Sequence, residues 1–301
     1  MTLYYSALII GGGLIGSSMA RAIRAQSLVE RLYICDTSSE ACDVLKSLNI
    51  ADGISDDYSE FIGTADLIIL ATPPGVMKVI GQDVIKQMKT GAVLTDVGSI
   101  KLDLVNQLST NMRSDIHFIP GHPIAGTENS GPAAGFAELF EKRWCILTPT
   151  ANSDSQEVER LKSFWEALGS DVALMEPERH DVVLATTSHV PHLIAYTLVG
   201  TAMDMETVTR NDVVKYSAGG FRDFTRIAAS DPEMWRDVFL QNKDGVLEVV
   251  DRFIEDLSAL KRAIRWGDGD TLIQHFSKTR DIRRHIIDAG QDTDKPDFGR
   301  D

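Results

Sequence analysis

Ser6-Ala7-Leu8-Ile9-Ile10-Gly11-Gly12-Gly13-Leu14-Ile15-Gly16 joins a short apolar run to the pattern GxGxxG, and the Ser-Met-Ala-Arg-Ala-Ile-Arg-Ala that follows at 18–25 has helical spacing. A strand, a glycine turn and a helix N-terminus in that order form a cradle for a pyrophosphate. Gly11 allows the tight turn, Gly13 lets the backbone approach the anion, and Gly16 permits close packing of helix on strand, with Leu14 and Ile15 completing the helix start. A second apolar run, RLYICD at 31–36, ends in Asp36, 20 residues past Gly16 (36 − 16). A carboxylate there can accept hydrogen bonds from the ribose hydroxyls of a dinucleotide. Asp36 would repel a 2′-phosphate, and Thr37 and Ser38 follow it rather than arginines, so NAD is favoured over NADP.

Outward from this motif, short apolar runs alternate with helical patterns at 65–74, 92–99, 116–123, 143–149 and 171–175. The runs are continuous rather than alternating, as strands of a parallel sheet covered on both faces must be. The fold expected is α/β, an N-terminal Rossmann-type doubly wound sheet followed by an all-helical C-terminal domain. The boundaries expected are 1–175 for the nucleotide-binding domain, 176–290 for a helical substrate and dimerisation domain, and 291–301 for a mobile tail with little to bury. Residues 177–204 read as one long helix interrupted by Pro191, then a short helix and a loop at 217–225. Val246, Val250, Phe253, Leu257, Leu260 and Ile264 are spaced 4, 3, 4, 3, 4. Such a seam packs lengthwise on a near-antiparallel helix, in the same chain or in a second copy.

The net charge of −14 disfavours nucleic acid and anionic membranes as partners. Cys35, Cys42 and Cys145 form no CxxC pair, which points to a reducing, cytoplasmic compartment and no structural zinc. The opening MTLYYSALIIGGG has no basic start, and its apolar run is too short to span a bilayer, so it reads as the first strand.

Thr72 and Pro73, in the ATPP that ends the run at 65–74, would line the nicotinamide side of the crevice. Ser99 and Lys101 follow the next run as DVGSIK, and His122 follows the one after, 23 residues beyond Ser99 (122 − 99). The carboxyl ends of such strands converge on one crevice. A neutral imidazole there can accept a proton, and a Ser hydroxyl can hold it in one tautomer. An acidic protein must bind anions through local donors, which singles out Arg226, Arg222 and Lys101. The GGFRDFTRIA segment at 219–228 also reads as a helix-entry loop whose arginines pair with Asp223. His189 and His192 share a helical face without a third metal ligand, so packing or hydrogen bonding is the default, with His192 reaching the crevice. No metal is expected. His117, His180, His275 and His285 read as surface or helix histidines.

GGGLIG (11–16), DVGSIK (96–101), GHPIAGTENSG (121–131), SHVPH (188–192) and GGFRDFTRIA (219–228) together resemble the prephenate/arogenate dehydrogenases of tyrosine biosynthesis, also called cyclohexadienyl dehydrogenases. The likeness spans nearly the whole chain. It implies an NAD-dependent oxidative decarboxylation of prephenate or arogenate, to 4-hydroxyphenylpyruvate or tyrosine, by a homodimer. It implies His122 as the catalytic histidine, Ser99 as its orienting partner, Arg226 as the grip on a substrate carboxylate, and His192 and Glu128 as further active-site residues. Arg222 falls where family members often carry Lys. Two alternatives remain open from the residues alone: a β-hydroxyacid-dehydrogenase-like oxidoreductase, for which no helical lysine motif is evident, and a non-catalytic dinucleotide sensor.

Overall fold

Strand and helix alternate from the N-terminus: β1 (Tyr4–Ile10), α1 (Leu14–Gln26), β2 (Val29–Cys35), α2 (Ser39–Leu48), β3 (Gly53–Ser55), α3 (Ser59–Ile62), β4 (Leu67–Leu70), α4 (Pro74–Gln87), β5 (Val93–Asp96), α5 (Leu102–Ser109) and β6 (His117–Phe118). The six strands form one parallel sheet in the order β3-β2-β1-β4-β5-β6, the Rossmann order with its switch point between β1 and β4. The computed structural model describes residues 2–127, 129–204 and 210–288. The chain divides into two compact units, Met1–Val246 and Leu247–Asp301.

Why the strands read as unbroken apolar runs is visible in their side chains. Along β4, Leu67 and Ile69 join the hydrophobic core on one face of the sheet and Ile68 and Leu70 the core on the other. All four are fully buried. Successive side chains point to opposite faces, and both faces are roofed by helices, so every position is apolar. Each such burial stabilises the fold by roughly 1.5–3 kcal/mol.

The structure departs from the sequence reading at four places. β3, only three residues long, carries too little apolar signal to be recognised. The run at 116–123 is two strands: Ile119 still donates to the Leu94 carbonyl at 2.9 Å, but Pro120 has no N–H to continue the ladder. The chain then enters β7 (Gly121–Pro123), which pairs antiparallel with β8 (Trp144–Leu147). After α6 (Ser155–Ala167), β9 (Asp171–Leu174) adds to β8 in parallel, making a separate three-stranded sheet.

The third departure lies in the long helix, α7 (Pro177–Leu184) and α8 (Val190–Asp204), which is continuous through a π turn at Ala185–His189. Val190 donates to the Ala185 carbonyl, and Pro191 just beyond cannot donate, so the wider turn absorbs the missing hydrogen bond. Fourth, after α9 (Arg210–Tyr216), the expected loop at 217–225 is largely helical, α10 (Gly219–Thr225). Its Thr225 hydroxyl bonds back to the Phe221 carbonyl at 2.6 Å.

α11 (Pro232–Gln241) starts at an Asp231 cap whose carboxylate accepts from Met234 N–H at 2.8 Å. α12 (Lys243–Trp266) carries the 4,3,4,3,4 seam, and in the single chain Phe253, Leu257 and Ile264 are 38%, 53% and 66% exposed. α13 (Gly269–Asp288) follows a turn at Gly267, whose φ of 69° favours glycine. The expected tail at 291–301 lies outside the described residues.

Candidate active site

The glycine motif does what its spacing requires. Gly11 has φ +105°, and a Cβ on it would stand 2.4 Å from the Ala71 carbonyl oxygen. On Gly16 a Cβ would come within 1.9 Å of the Gly11 carbonyl oxygen, whereas on Gly13 it would meet nothing within 4 Å and would project into open space. Gly13 caps α1 with no side-chain hydrogen bond, so the first N–H groups of the helix remain available to an anion. Asp36 is fixed at both oxygens, accepting from Gly12 N–H at 2.8 Å and Ser38 N–H at 2.9 Å. Each oxygen keeps a lone pair for a ribose hydroxyl.

These residues line a cleft of about 950 Å³. Gly11, Gly13, Leu14, Ile15 and Asp36 form its nucleotide end; Thr72, Pro73, Ser99 and His122 line it further along. Gly16 packs behind the turn rather than lining it. Among the described residues the buried Thr72 hydroxyl has no hydrogen-bond partner, an orphan that a ligand polar group would satisfy. The open cradle at Gly13, the free helix start and the Thr72 hydroxyl all fit a dinucleotide.

His122 sits on β7, opposite Ile146 of β8, and is 8% exposed. Its Nδ1 lies 2.8 Å from Nε2 of His180. His180, fully buried on α7, places its own Nδ1 2.8 Å from Asp181 Oδ1. Asp181 in turn accepts the backbone N–H groups of Lys101 and Leu102, at 2.9 and 3.0 Å, at the start of α5. Burial pushes the His122 pKa well below its usual value, assisted by His180 and the Lys101 ammonium. Burial likewise lowers His180, against the opposing pull of Asp181. Both rings are therefore neutral at pH 7.

Two expectations are corrected here and a third is made specific. Lys101 is not in the cleft: it is fully buried, and its ammonium is engaged by the Asp96 carboxylate and the Gly121 carbonyl, the latter at 2.6 Å. It clamps the strand that carries His122 instead of meeting a substrate. Ser99 lines the cleft, but among the described residues its hydroxyl makes no hydrogen bond with His122, whose ring is held by His180. His180 is a helix histidine, one of the two readings given for it, but it is fully buried and bonded to both His122 and Asp181. Nothing in local spacing links residues 122 and 180; the one available signal was an adjacent His-Asp pair on an apolar helix face.

His192, Arg222 and Arg226 do not line the cleft. His192 stacks on Trp235 with ring centroids 3.7 Å apart, and its Nδ1 donates to the Ser188 carbonyl at 2.9 Å. Burial lowers its pKa, and the Arg226 charge adds to the effect, which places that guanidinium in its neighbourhood. Met234, the residue before Trp235, lines the cleft. His189 is fully buried and meets the Asn242 side-chain amide at 3.1 Å. Glu128 lies outside the described residues.

Residues 19–174 match the family model of the prephenate dehydrogenase nucleotide-binding domain, and residues 176–278 that of the prephenate dehydrogenase dimerization domain. A cyclohexadienyl dehydrogenase of Zymomonas mobilis is 41% identical over 94% of this chain and 96% of its own. A prephenate dehydrogenase of Bacillus subtilis is 35% identical over 92% of this chain and 74% of its own. Among solved structures, the prephenate dehydrogenase of Aquifex aeolicus in complex with hydroxyphenyl propionate and NAD+ is similar with a TM-score of 0.86 and 35% identity, covering 95% of this chain and 98% of that one.

Proposed function

The chain belongs to the prephenate dehydrogenase family, and from that premise we propose that it oxidises prephenate, arogenate or both, with loss of CO2, to 4-hydroxyphenylpyruvate or tyrosine. The observation that carries this reading is His122: a ring kept neutral by burial, in the wall of a dinucleotide cleft. The substrate is a cyclohexadiene with a ring carboxylate and, across the ring, a carbinol. NAD, held in the cleft, would supply the acceptor for the hydride of the carbinol carbon. His122 takes the hydroxyl proton as the carbonyl forms; the bond from ring to carboxylate then breaks, its electron pair completes the aromatic ring as a phenolate, and that oxygen takes the proton back from His122. Aromatisation drives that last step, so the protein's work is positioning and proton acceptance.

Gly11, Gly13, Leu14, Ile15, Asp36, Thr72 and Pro73 hold the cofactor, with Gly16 setting the turn, and Ser99 borders both cofactor and substrate. Arg226, His192, Arg222 and Glu128 serve the substrate side, Arg226 as the grip on a carboxylate because its planar fork binds bidentately. Asp36 selects against a 2′-phosphate and so favours NAD over NADP.

Residues 1–175 act as the nucleotide-binding domain and 176–290 as the domain for substrate and dimerisation. The exposed seam on α12 supplies the subunit contact, together with Pro177–Asp204. That segment is long and apolar enough to cross a membrane by length and composition, with mean hydropathy 1.3, yet it carries the internally bonded His180, Asp181 and His189. A protein contact suits its exposed apolar side chains. The three cysteines are free and buried, as suits the cytoplasm. The deciding experiment is kcat/KM for prephenate and for arogenate, each with NAD and with NADP. Turnover of neither substrate with either cofactor overturns the reading.

A further inference from the structure

We propose that His180, backed by Asp181, is the positioning residue that locks His122 in the Nδ1–H tautomer and so presents the Nε2 lone pair to the substrate hydroxyl. This rests on the role of His122 as proton acceptor.

The chain of donors and acceptors permits one solution. The Asp181 carboxylate already accepts two backbone N–H groups and is an acceptor toward the ring beside it. His180 Nδ1, 2.8 Å from Asp181 Oδ1, must therefore carry the hydrogen. In a neutral imidazole the other nitrogen is then a bare acceptor. His180 Nε2 therefore accepts, and His122 Nδ1, 2.8 Å away, donates. The remaining nitrogen of His122, which lines the cleft, is then the one that carries a lone pair and can accept a proton. With the opposite tautomer, two lone pairs would face each other at 2.8 Å and the cleft would be offered an N–H, which cannot take a proton.

The anchor is rigid. Asp181 is tied to the start of α5, and its backbone carbonyl accepts from Asn242 Nδ2 at 2.8 Å. His180 is fully buried, so water cannot replace its acceptor. The two ring planes stand at 63° with centroids 5.1 Å apart, an edge-to-edge approach through nitrogen rather than a stack. As His122 gains its proton, the Nδ1–H···Nε2 bond becomes charge-assisted and strengthens, so His180 holds the imidazolium as well as orienting the neutral ring. The other charged or titratable groups facing this pair are Lys101, Asp96 and His189.

The test joins a spectrum and a pair of variants in the full chain. In the two-bond 1H–15N spectrum of the histidine rings, assigned with His122→Asn, wild-type His122 is expected as the Nδ1–H form without any substrate. His180→Leu removes the acceptor at similar volume: His122 should lose that tautomer preference and kcat should fall by about 100-fold with KM changed less than about threefold, because a mis-set tautomer forfeits the general-base contribution. His180→Gln places an amide oxygen near the position of Nε2 and should recover at least about a tenth of wild-type kcat, since it restores the acceptor. Nε2–H protonation of wild-type His122 overturns the proposal even if both variants fail to fold. So does a folded His180→Leu enzyme with wild-type kcat. Because the spectrum needs no turnover, it stands apart from the substrate assays on which the proposed function depends.

Discussion

Lys101 and Asp96, five residues apart, form an ion pair from which both side chains are wholly excluded from solvent. Asp96 also accepts from Gly98 N–H at 2.8 Å and Gly121 N–H at 3.3 Å, and Lys101 donates to the Gly121 carbonyl. The end of β5, the start of α5 and the strand bearing His122 are thus bound at one point. Breaking such a pair from one side leaves an uncompensated buried charge. Lys101→Met is expected to destabilise by roughly 3–5 kcal/mol, read as a Tm lowered by about 10 °C in a thermal melt. A direct role on substrate would instead appear as a raised KM in an enzyme of unchanged Tm.

His122→Asn keeps a polar side chain but cannot take the hydroxyl proton. kcat should fall by about 10²–10⁴-fold while KM stays nearly constant. Steady-state kinetics showing a variant within tenfold of wild type would remove His122 from the chemistry.

Burial lowers the pKa of His122, of His180 and of His189, the last to about 4. Only neutral His122 accepts a proton, so the acid limb of kcat/KM should lie below the ordinary histidine value of 6.5. Stability follows the same sign. As pH falls below 6.5 the unfolded chain takes up protons that the buried rings refuse, so the folded state loses stability from there down towards about 4, where His189 charges in place. A kcat/KM limb centred at or above pH 6.5, or denaturant midpoints that rise between pH 6.5 and 4.5, would contradict this.

Gly13 and Gly16 should separate binding from folding. Gly16→Ala drives a methyl into the Gly11 carbonyl and should lower Tm markedly, while Gly13→Ala meets nothing in the protein. The Gly13 variant should melt within about 3 °C of wild type, the scale of a lost cap preference, yet bind NAD+ about tenfold or more weakly, because its methyl occupies the pyrophosphate approach. Calorimetric titration showing wild-type affinity for Gly13→Ala would sink the assignment.

Leu257 is half exposed in the middle of the apolar α12 seam. Leu257→Glu would bury a charge at a subunit contact and should shift the mass seen by light scattering from dimer to monomer. A variant that stays dimeric at the dilution where wild type does places the contact elsewhere.

The candidate dinucleotide site was legible in residues 6–16 and Asp36 alone, because a glycine turn, a helix start and a ribose acceptor are local backbone requirements that spacing encodes. The parallel sheet was equally legible, since burial on both faces forces unbroken apolar runs such as Leu67 to Leu70. Where the sequence reading missed, the cause was brevity in β3 and, at Pro120, a backbone donor lacking in the middle of an apolar run.

What only the tertiary structure decided is the company that His122 keeps. DVGSIK suggested Ser99 as the orienting partner and Lys101 as an anion donor, because the carboxyl ends of such strands converge on one crevice. The fold spent Lys101 on Asp96 and brought His180 and Asp181 against His122 from 58 residues away. Local spacing carries no trace of that meeting. It depends on where a helix lands on the end of a sheet, and the low dielectric there makes a fully paired Asp-His-His chain the stable way to bury two imidazoles.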